Sequence, residues 1–391
     1  MSTKVRNTSS QRANQIAPSG IRKFFDLLAS MEGVISLGVG EPDFTTPWHI
    51  REAAIYSLEK GQTMYTSNSG MPELRRELSR YLKERYNLSY DPNSELLITV
   101  GVSEALDLTM RAILDPGDEV IMPDPHYVSY DACVILAGGT PIMAPTNEEG
   151  NFELNASDIE ARVTDKTKAI LIGYPANPTG AVMSKEKLAR LAEIARRHRL
   201  LVISDEIYGR LVYGVKQTCF ATLPGMKENT ILLGGFSKAY AMTGWRIGYA
   251  AASKEIIAAM TKIQQYTIMC APTMAQVAAI EALKSGEPDV LEMVEDYNRR
   301  RLVMVKGLRD IGLPCFEPKG AFYAFPSIRG TGMASEEFAE KLLVEEKVAV
   351  VPGTAFGQCG EGYVRCCYAT SLAEIEEALL RMGRFVKKHK R

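Results

Sequence analysis

The residues best equipped for chemistry lie in the stretch Gly234-Gly235-Phe236-Ser237-Lys238-Ala239-Tyr240-Ala241-Met242-Thr243-Gly244-Trp245-Arg246-Ile247-Gly248-Tyr249. An apolar run, Ile231 to Leu233, precedes Lys238, and a second, Arg246 to Ala252, follows it. Both read as buried strands. So brief a link implies an antiparallel pair, because a parallel crossover needs roughly a dozen residues or more. Lys238 then stands at the tip of that link. A loop lysine is ordinarily a solvated charge. Beside buried strands it has a second option. Its ammonium is costly to bury, so it gives up a proton and becomes an amine able to form a Schiff base.

Other candidates surround it in the sequence. Arg365 is the one cation in the alternating run Tyr363-Val364-Arg365-Cys366-Cys367-Tyr368. Such an arginine needs an anion, either an internal carboxylate or a ligand. Asn177 follows the strand-like run Ala169 to Gly173, in Tyr174-Pro175-Ala176-Asn177-Pro178-Thr179-Gly180. Asp205 follows Leu200 to Ile203, in Ser204-Asp205-Glu206-Ile207-Tyr208. A helix from Ser184 to Arg199, with Leu188, Leu191, Ala192 and Ala195 as its apolar stripe, separates the two. That spacing is a right-handed βαβ unit. It puts Asn177 and Asp205 at the C-terminal edge of a parallel sheet, where open α/β folds bind ligands. Asn177 is also an ordinary turn residue. An Asp-Glu pair also suits Mg²⁺, but no P-loop accompanies this one.

The strand Leu96 to Val100 runs into Gly101-Val102-Ser103-Glu104, the start of a helix reaching about Leu114. Backbone N–H groups of Val102 and Glu104, the Ser103 hydroxyl and the helix dipole form a phosphate cradle. The strand Glu119 to Met122 leads to Tyr127, an aromatic suited either to the core or to stacking on a flat heterocycle.

The elements that must position these groups follow in order. Residues 1 to about 15 are polar and basic and are expected to be poorly ordered. A helix-like run, Ser19 to Met31, comes next. Gly38-Val39-Gly40 lacks the third glycine of a dinucleotide fingerprint, and Pro42 stands where a helix would open. Thr46-Pro47 reads as N-cap and N1 of a helix closed by Gly61. Tyr65 and Gly70 occupy the next loop. The helix Pro72 to Tyr86 aligns Leu74, Leu78, Tyr81 and Leu82. After Lys254 a long helical region is broken at Pro272, and a helix from about Glu287 to Ile311 leads into a smaller C-terminal unit. That unit reads as strand at Cys315-Phe316, strand Ala321 to Pro326, helix Ser335 to Glu345, strand Val348 to Val351, strand Tyr363 to Tyr368 and helix Leu372 to His389.

Composition narrows the function. The 391 residues are 46% apolar and 24% charged, ordinary for a soluble enzyme of two to three domains. A net charge of −1 offers no global attraction to nucleic acid or an anionic membrane. The basic tail Lys387 to Arg391 is short and reads as solvated. Seven cysteines without a C-x-x-C pair fit a reducing cytoplasm rather than a disulfide framework or zinc site. The four histidines share no metal-ligand spacing, so no metal is expected. Neither a signal peptide nor a membrane span is apparent.

Ser-Lys-x7-Arg, with Gly244 and Trp245 just before the arginine, resembles the lysine segment of the fold-type I, pyridoxal-phosphate-dependent class I aminotransferases. The resemblance extends from Gly40 to Arg365 and is nearest the subgroup of bacterial-type aspartate and archaeal-type aromatic aminotransferases. It implies an α/β fold: a large domain with a mostly parallel seven-stranded sheet flanked by helices, plus a smaller α+β C-terminal domain. The implied divisions are residues 1–45, an N-terminal segment packing with the small domain, then 46–284 and 285–391. The implied cofactor is pyridoxal 5′-phosphate. Lys238 carries it as a Schiff base and then moves the substrate's α-proton. Ser237, Arg246, Val102, Ser103 and Glu104 hold its phosphate. Tyr127 covers its ring, Asp205 pairs with the ring nitrogen, and Tyr208 and Asn177 reach its phenolic oxygen. Gly40, Asn177 and Arg365 take the substrate α-carboxylate. Tyr65 reaches the phosphate in a partner's site, which implies a homodimer.

The implied reaction moves an amino group from an L-amino acid to a 2-oxo acid, 2-oxoglutarate by analogy. Some aspartate-specific members carry lysine where Ser103 stands, so aspartate, aromatic, broad and acetylated-diaminopimelate specificities all stay open. The rival on the same cofactor is β-elimination or decarboxylation. A cofactor-binding sensor fused to a DNA reader lacks a DNA-binding domain in the first 20 residues.

Overall fold

The computed structural model describes residues 9–16 and 31–389. The expected helix from Ser19 lies outside them up to Met31. Where disorder is expected near residue 15, there is instead a short helix, α1 (Gln11–Gln15). Ser10 caps it by accepting from Ala13 N–H, and Arg12 Nη1 donates to Leu136 O at 3.4 Å. Local capping and one long-range contact therefore order a segment whose composition reads as coil.

Next come β1 (Ile35–Ser36), α2 (Trp48–Glu59) and α3 (Pro72–Tyr86). Helix α2 starts one residue later than the Thr46 cap implies. Thr46 Oγ1 instead donates to Ala241 O at 2.5 Å and accepts from Trp245 Nε1 at 3.0 Å. It braces the loop that carries Lys238.

The central unit alternates strand and helix: β2 (Leu96–Thr99), α4 (Gly101–Ile113), β3 (Glu119–Asp124), α5 (Ser129–Ala137), β4 (Thr140–Pro145), α6 (Ala156–Glu160), β5 (Thr167–Ile172), α7 (Lys185–Arg197), β6 (Leu201–Asp205), β7 (Thr230–Gly235) and β8 (Gly248–Ala251). These strands form one seven-stranded sheet in the order β2-β8-β7-β6-β5-β3-β4. Strand β8 alone runs opposite to the other six strands, so the sheet is mostly parallel, as expected. Alternation divides each strand between two cores. Leu97, Leu171, Ile203 and Leu233 pack against Leu106 and Met260 of the helices on one face. Leu96, Ile98, Leu232 and Ala251 pack on the other face with Leu74 and Leu78 of α3. Being covered on both faces explains the near-continuous apolar runs.

Three helices follow, α8 (Lys254–Thr267), α9 (Thr273–Ser285) and α10 (Glu287–Asp310). The rest of the chain contributes β9 (Tyr323–Ala324), α11 (Ser335–Glu346), β10 (Val348–Ala349), β11 (Val351–Pro352), β12 (Val364–Cys367) and α12 (Leu372–His389). The single strand expected over Val348–Val351 is two. Strand β10 pairs in parallel with β1, whereas β11 joins the antiparallel sheet β11-β12-β9. A change of partner at Val350 divides the run. A further core, including Leu37, Tyr297, Phe322, Phe338 and Phe385, fills the space under α10, α11 and α12.

Candidate active site

A cavity of about 360 Å³ opens at the C-terminal edge of the parallel strands, against the small sheet. Its wall includes Gly40, Val102, Ser103, Tyr127, Asn177, Asp205, Tyr208, Ser237, Lys238, Arg246 and Arg365. Eleven residues from segments spread between positions 40 and 365 thus meet at one place. Two expected residues are not in that wall. Glu104 turns back instead, and its Oε2 accepts from Val100 N–H at 2.5 Å. It lies one turn into α4, where backbone N–H groups already bond within the helix. Tyr65 is 80% exposed and outside the cavity of its own chain.

Lys238 sits on the loop between β7 and β8, which pair antiparallel as expected. Two non-glycine residues of that loop, Ala241 (φ 50°) and Arg246 (φ 52°), adopt left-handed conformations. Backbone held so is costly unless neighbours over-determine it, and the Thr46 bonds to Ala241 and Trp245 do so here. Lys238 Nζ donates to Gly40 O at 2.6 Å. It lies 5.9 Å from the Tyr208 ring centre and 5.7 Å from that of Phe322. Burial lowers its pKa to about 8, and the positive charges of Arg365 and Arg246 act in the same direction. The desolvation anticipated from sequence is therefore present.

Arg365 is buried on β12. Its Nη1 donates to Asn177 Oδ1 at 2.9 Å and its Nη2 to Gly38 O at 2.7 Å. No carboxylate pairs with it among the described residues, and its buried Nε has no partner there. Rings flank the guanidinium, Tyr323 at 4.4 Å and Phe356 at 4.8 Å from ring centre to Cζ. A planar cation held between rings with donor capacity to spare suits a carboxylate.

Asp205, at the end of β6, is buried, and burial raises its pKa. Its Oδ1 accepts from Ile207 N–H at 3.1 Å and its Oδ2 from the Tyr130 hydroxyl at 2.9 Å. The Tyr208 hydroxyl lies 2.7 Å from that of Tyr323. Sequence reasoning missed both tyrosine partners. Tyr130 carried one usable signal, its position a helical turn beyond Tyr127. Tyr323 carried none beyond its place in an apolar run.

At the other end of the cavity Gly101 has φ +71°, and a Cβ there would lie 2.6 Å from Arg246 Nη2. A Cβ on Gly248 would come within 2.6 Å of the Gly101 carbonyl carbon. Two glycines thus let β8 and the first turn of α4 close on each other, which brings Arg246 to a helix N-terminus. Among the described residues no hydrogen bond engages the Ser103 or Ser237 hydroxyl.

Comparison with known proteins agrees with this geometry. The family model described as aminotransferase class I and II matches residues 32–382. YugH of Bacillus subtilis (strain 168), provisionally named an aminotransferase, is 59% identical over 379 residues, covering 97% of this chain and 98% of that one. The aspartate aminotransferase of Pyrococcus abyssi is 48% identical over 97% of this chain and 99% of its own. The crystal structure of an aromatic aminotransferase from Pyrococcus horikoshii superposes with a TM-score of 0.90 at 47% identity, covering 93% of this chain and 99% of that one. The chain belongs to the class I and II aminotransferases. It is an enzyme with the fold of that family, and pyridoxal 5′-phosphate is its cofactor.

The residues present fit that group. The first N–H groups of α4, two uncommitted hydroxyls and Arg246 converge as a phosphate site requires. A half-buried amine and a buried carboxylate, Lys238 and Asp205, stand in the same cavity wall. When bound, the cofactor supplies an aldehyde for amine condensation and a ring that withdraws electrons from the substrate's Cα.

Proposed function

We propose that this enzyme moves an amino group between an L-amino acid, with an aspartate, aromatic or broad side-chain preference, and 2-oxoglutarate. The carrying observation is that Arg365, with donor capacity to spare, and the depressed amine of Lys238 share one cavity. In this reading Lys238 Nζ would be the amine that holds the cofactor at its aldehyde carbon; once free, it would take the proton from the substrate Cα as a base and return a proton as an acid. Arg365 holds the substrate α-carboxylate, with Asn177 steadying the guanidinium and the Gly40 backbone leaving room. Asp205, oriented by Tyr130, would keep the ring nitrogen protonated. Tyr208 and Asn177 would meet the phenolic oxygen, and Tyr127 would cover the ring. Ser103, Ser237, Arg246 and the Val102 N–H hold the phosphate.

The reading includes a cytoplasmic homodimer in which Tyr65 completes the partner's phosphate site. Its support is an exposed apolar face. Met64 and Tyr65 are each 80% exposed; Thr273 Oγ1 donates to Met64 O and Asn68 Nδ2 to Met269 O, and Met269 and its neighbour Ile268 are also exposed. No helix among the described residues is long and apolar enough to cross a membrane. The domain divisions at residues 45 and 284 belong to the same reading. The β1–β10 pairing supports the first, and the start of α10 beside the second supports the other.

The deciding experiment is the visible spectrum of the purified holoenzyme with single L-amino acids. Bleaching by glutamate and recovery with 2-oxoglutarate is expected, and the other amino acids that bleach it give the side-chain class. Ammonia or carbon dioxide released without recovery would instead assign β-elimination or decarboxylation.

A further inference from the structure

We propose that Tyr323 is a positioning residue: its hydroxyl sets the Tyr208 phenol, and its ring backs the Arg365 guanidinium. The inference rests on the site reading above and deepens it.

Tyr323 is 1% exposed, in the cavity wall. Strand β9 pairs antiparallel with β12, placing Tyr323 opposite Cys367. Arg365, two residues before Cys367, shares its face, so ring and guanidinium meet at 4.4 Å. The ring therefore does its work from within the small sheet. The hydroxyl points the other way. Tyr208 belongs to the segment that leaves β6 of the large sheet, and the two hydroxyl oxygens are 2.7 Å apart. The rings meet edge to face, with centres 5.8 Å apart. A Cβ on Gly40 would overlap the same Tyr323 hydroxyl. One side chain thus touches the phenol, the carboxylate clamp and the glycine backbone that accepts from Lys238.

A phenylalanine would fill this core position as well. What it would lack is the hydrogen bond across the two sheets. A hydroxyl has one proton to give and accepts as well. When Tyr208 turns its proton toward the cofactor, its oxygen needs a donor behind it, and Tyr323 is in place to donate. That bond fixes the Tyr208 rotor and polarises its O–H, strengthening the outward donation. A stronger donor there favours the deprotonated form of the bound chromophore and so lowers the pH midpoint of its visible band.

The test uses the holoenzyme and three variants, Tyr323→Phe, Tyr208→Phe and the double substitution. Tyr323→Phe should raise the pH midpoint of the visible band by about half a unit. It should slow kcat severalfold and leave KM for the amino acid within about twofold, since the ring under Arg365 remains. In the Tyr208→Phe background, Tyr323→Phe should leave the midpoint where Tyr208→Phe put it, because its hydroxyl acts only through Tyr208. A parent-like midpoint in Tyr323→Phe, or equal shifts in both backgrounds, overturns the positioning role while the cofactor reading stands. A parent protein that shows no visible band with pyridoxal phosphate overturns both.

Discussion

Arg365 Nη1 donates to Asn177 Oδ1 at 2.9 Å, joining a strand of the small sheet to the loop after β5 of the large one. The guanidinium is thereby fixed before any ligand arrives, so less freedom is lost on binding. Lysine cannot reproduce a fork that serves Asn177 and Gly38 and, in the proposed function, a carboxylate as well. Arg365→Lys should raise KM for the amino acid roughly 100-fold, a loss of ~3 kcal/mol. The cofactor's visible band should be unchanged. Steady-state kinetics with the spectrum as control checks this, and an unchanged KM would remove Arg365 from the carboxylate site.

Lys238 gives a pH signature in the cofactor-free protein. Only the neutral amine attacks an aldehyde, and burial brings its pKa down to about 8. The rate of reconstitution with pyridoxal phosphate should rise tenfold per pH unit below about 8 and level off above it. Stopped-flow absorbance from pH 6 to 9.5 is the measurement. A rate still rising at pH 9.5 would mean that the amine is not desolvated as described.

Glu206 turns away from the cavity and is buried, accepting from Ser204 Oγ at 2.9 Å and Gln217 Nε2 at 3.0 Å. Burial raises its pKa to about 7. The folded state therefore holds this proton more tightly than the unfolded chain does. Its contribution to stability is complete below the ordinary carboxylate range and is lost as pH rises through about 7. Between pH 5 and 8.5 the parent should lose roughly 2–4 °C more in Tm than Glu206→Gln does. Parallel melting curves for the two proteins that fail to diverge would refute this.

Trp48 is 57% exposed on α2, and Met64 lies in the loop that follows the helix. If the proposed homodimer uses this face, Trp48→Glu combined with Met64→Glu should yield a monomer by light scattering, because two charges would have to be buried in its apolar contact. Turnover should fall more than about tenfold as Tyr65 loses its partner site. A fully active monomer would sever Tyr65 from the site.

Much of this was legible from residue types alone. Strands buried on both faces, such as Leu96–Thr99 and Leu201–Asp205, announce themselves as apolar runs. The residues at their C-terminal ends then fall together by topology. Strand β4, Thr140–Pro145, was not anticipated. It pairs only with β3, at the edge of the sheet, and carries two prolines and an exposed threonine. The Tyr130–Asp205 and Tyr208–Tyr323 bonds were equally hidden, since buried tyrosines look alike in sequence whether or not their hydroxyls are engaged. The Thr46 misreading has the same source. A threonine before a proline reads as a cap, and only the fold brings Ala241 and Trp245 to it.

The lone reversal at β8 bears on how this enzyme can change. Residues 236–247 form an arch with both feet on the ligand edge, at Gly235 and Gly248, which face each other across β7 and β8. By contrast, the loops that leave β3, β4 and β5 at that edge each depart toward a helix, α5, α6 and α7. An arch whose feet are paired and whose backbone is already left-handed at two positions has no slack. Insertions during divergence or directed evolution should therefore be absent from this arch and collect in the other loops at that edge. Selectivity can drift there while the amine stays where it is.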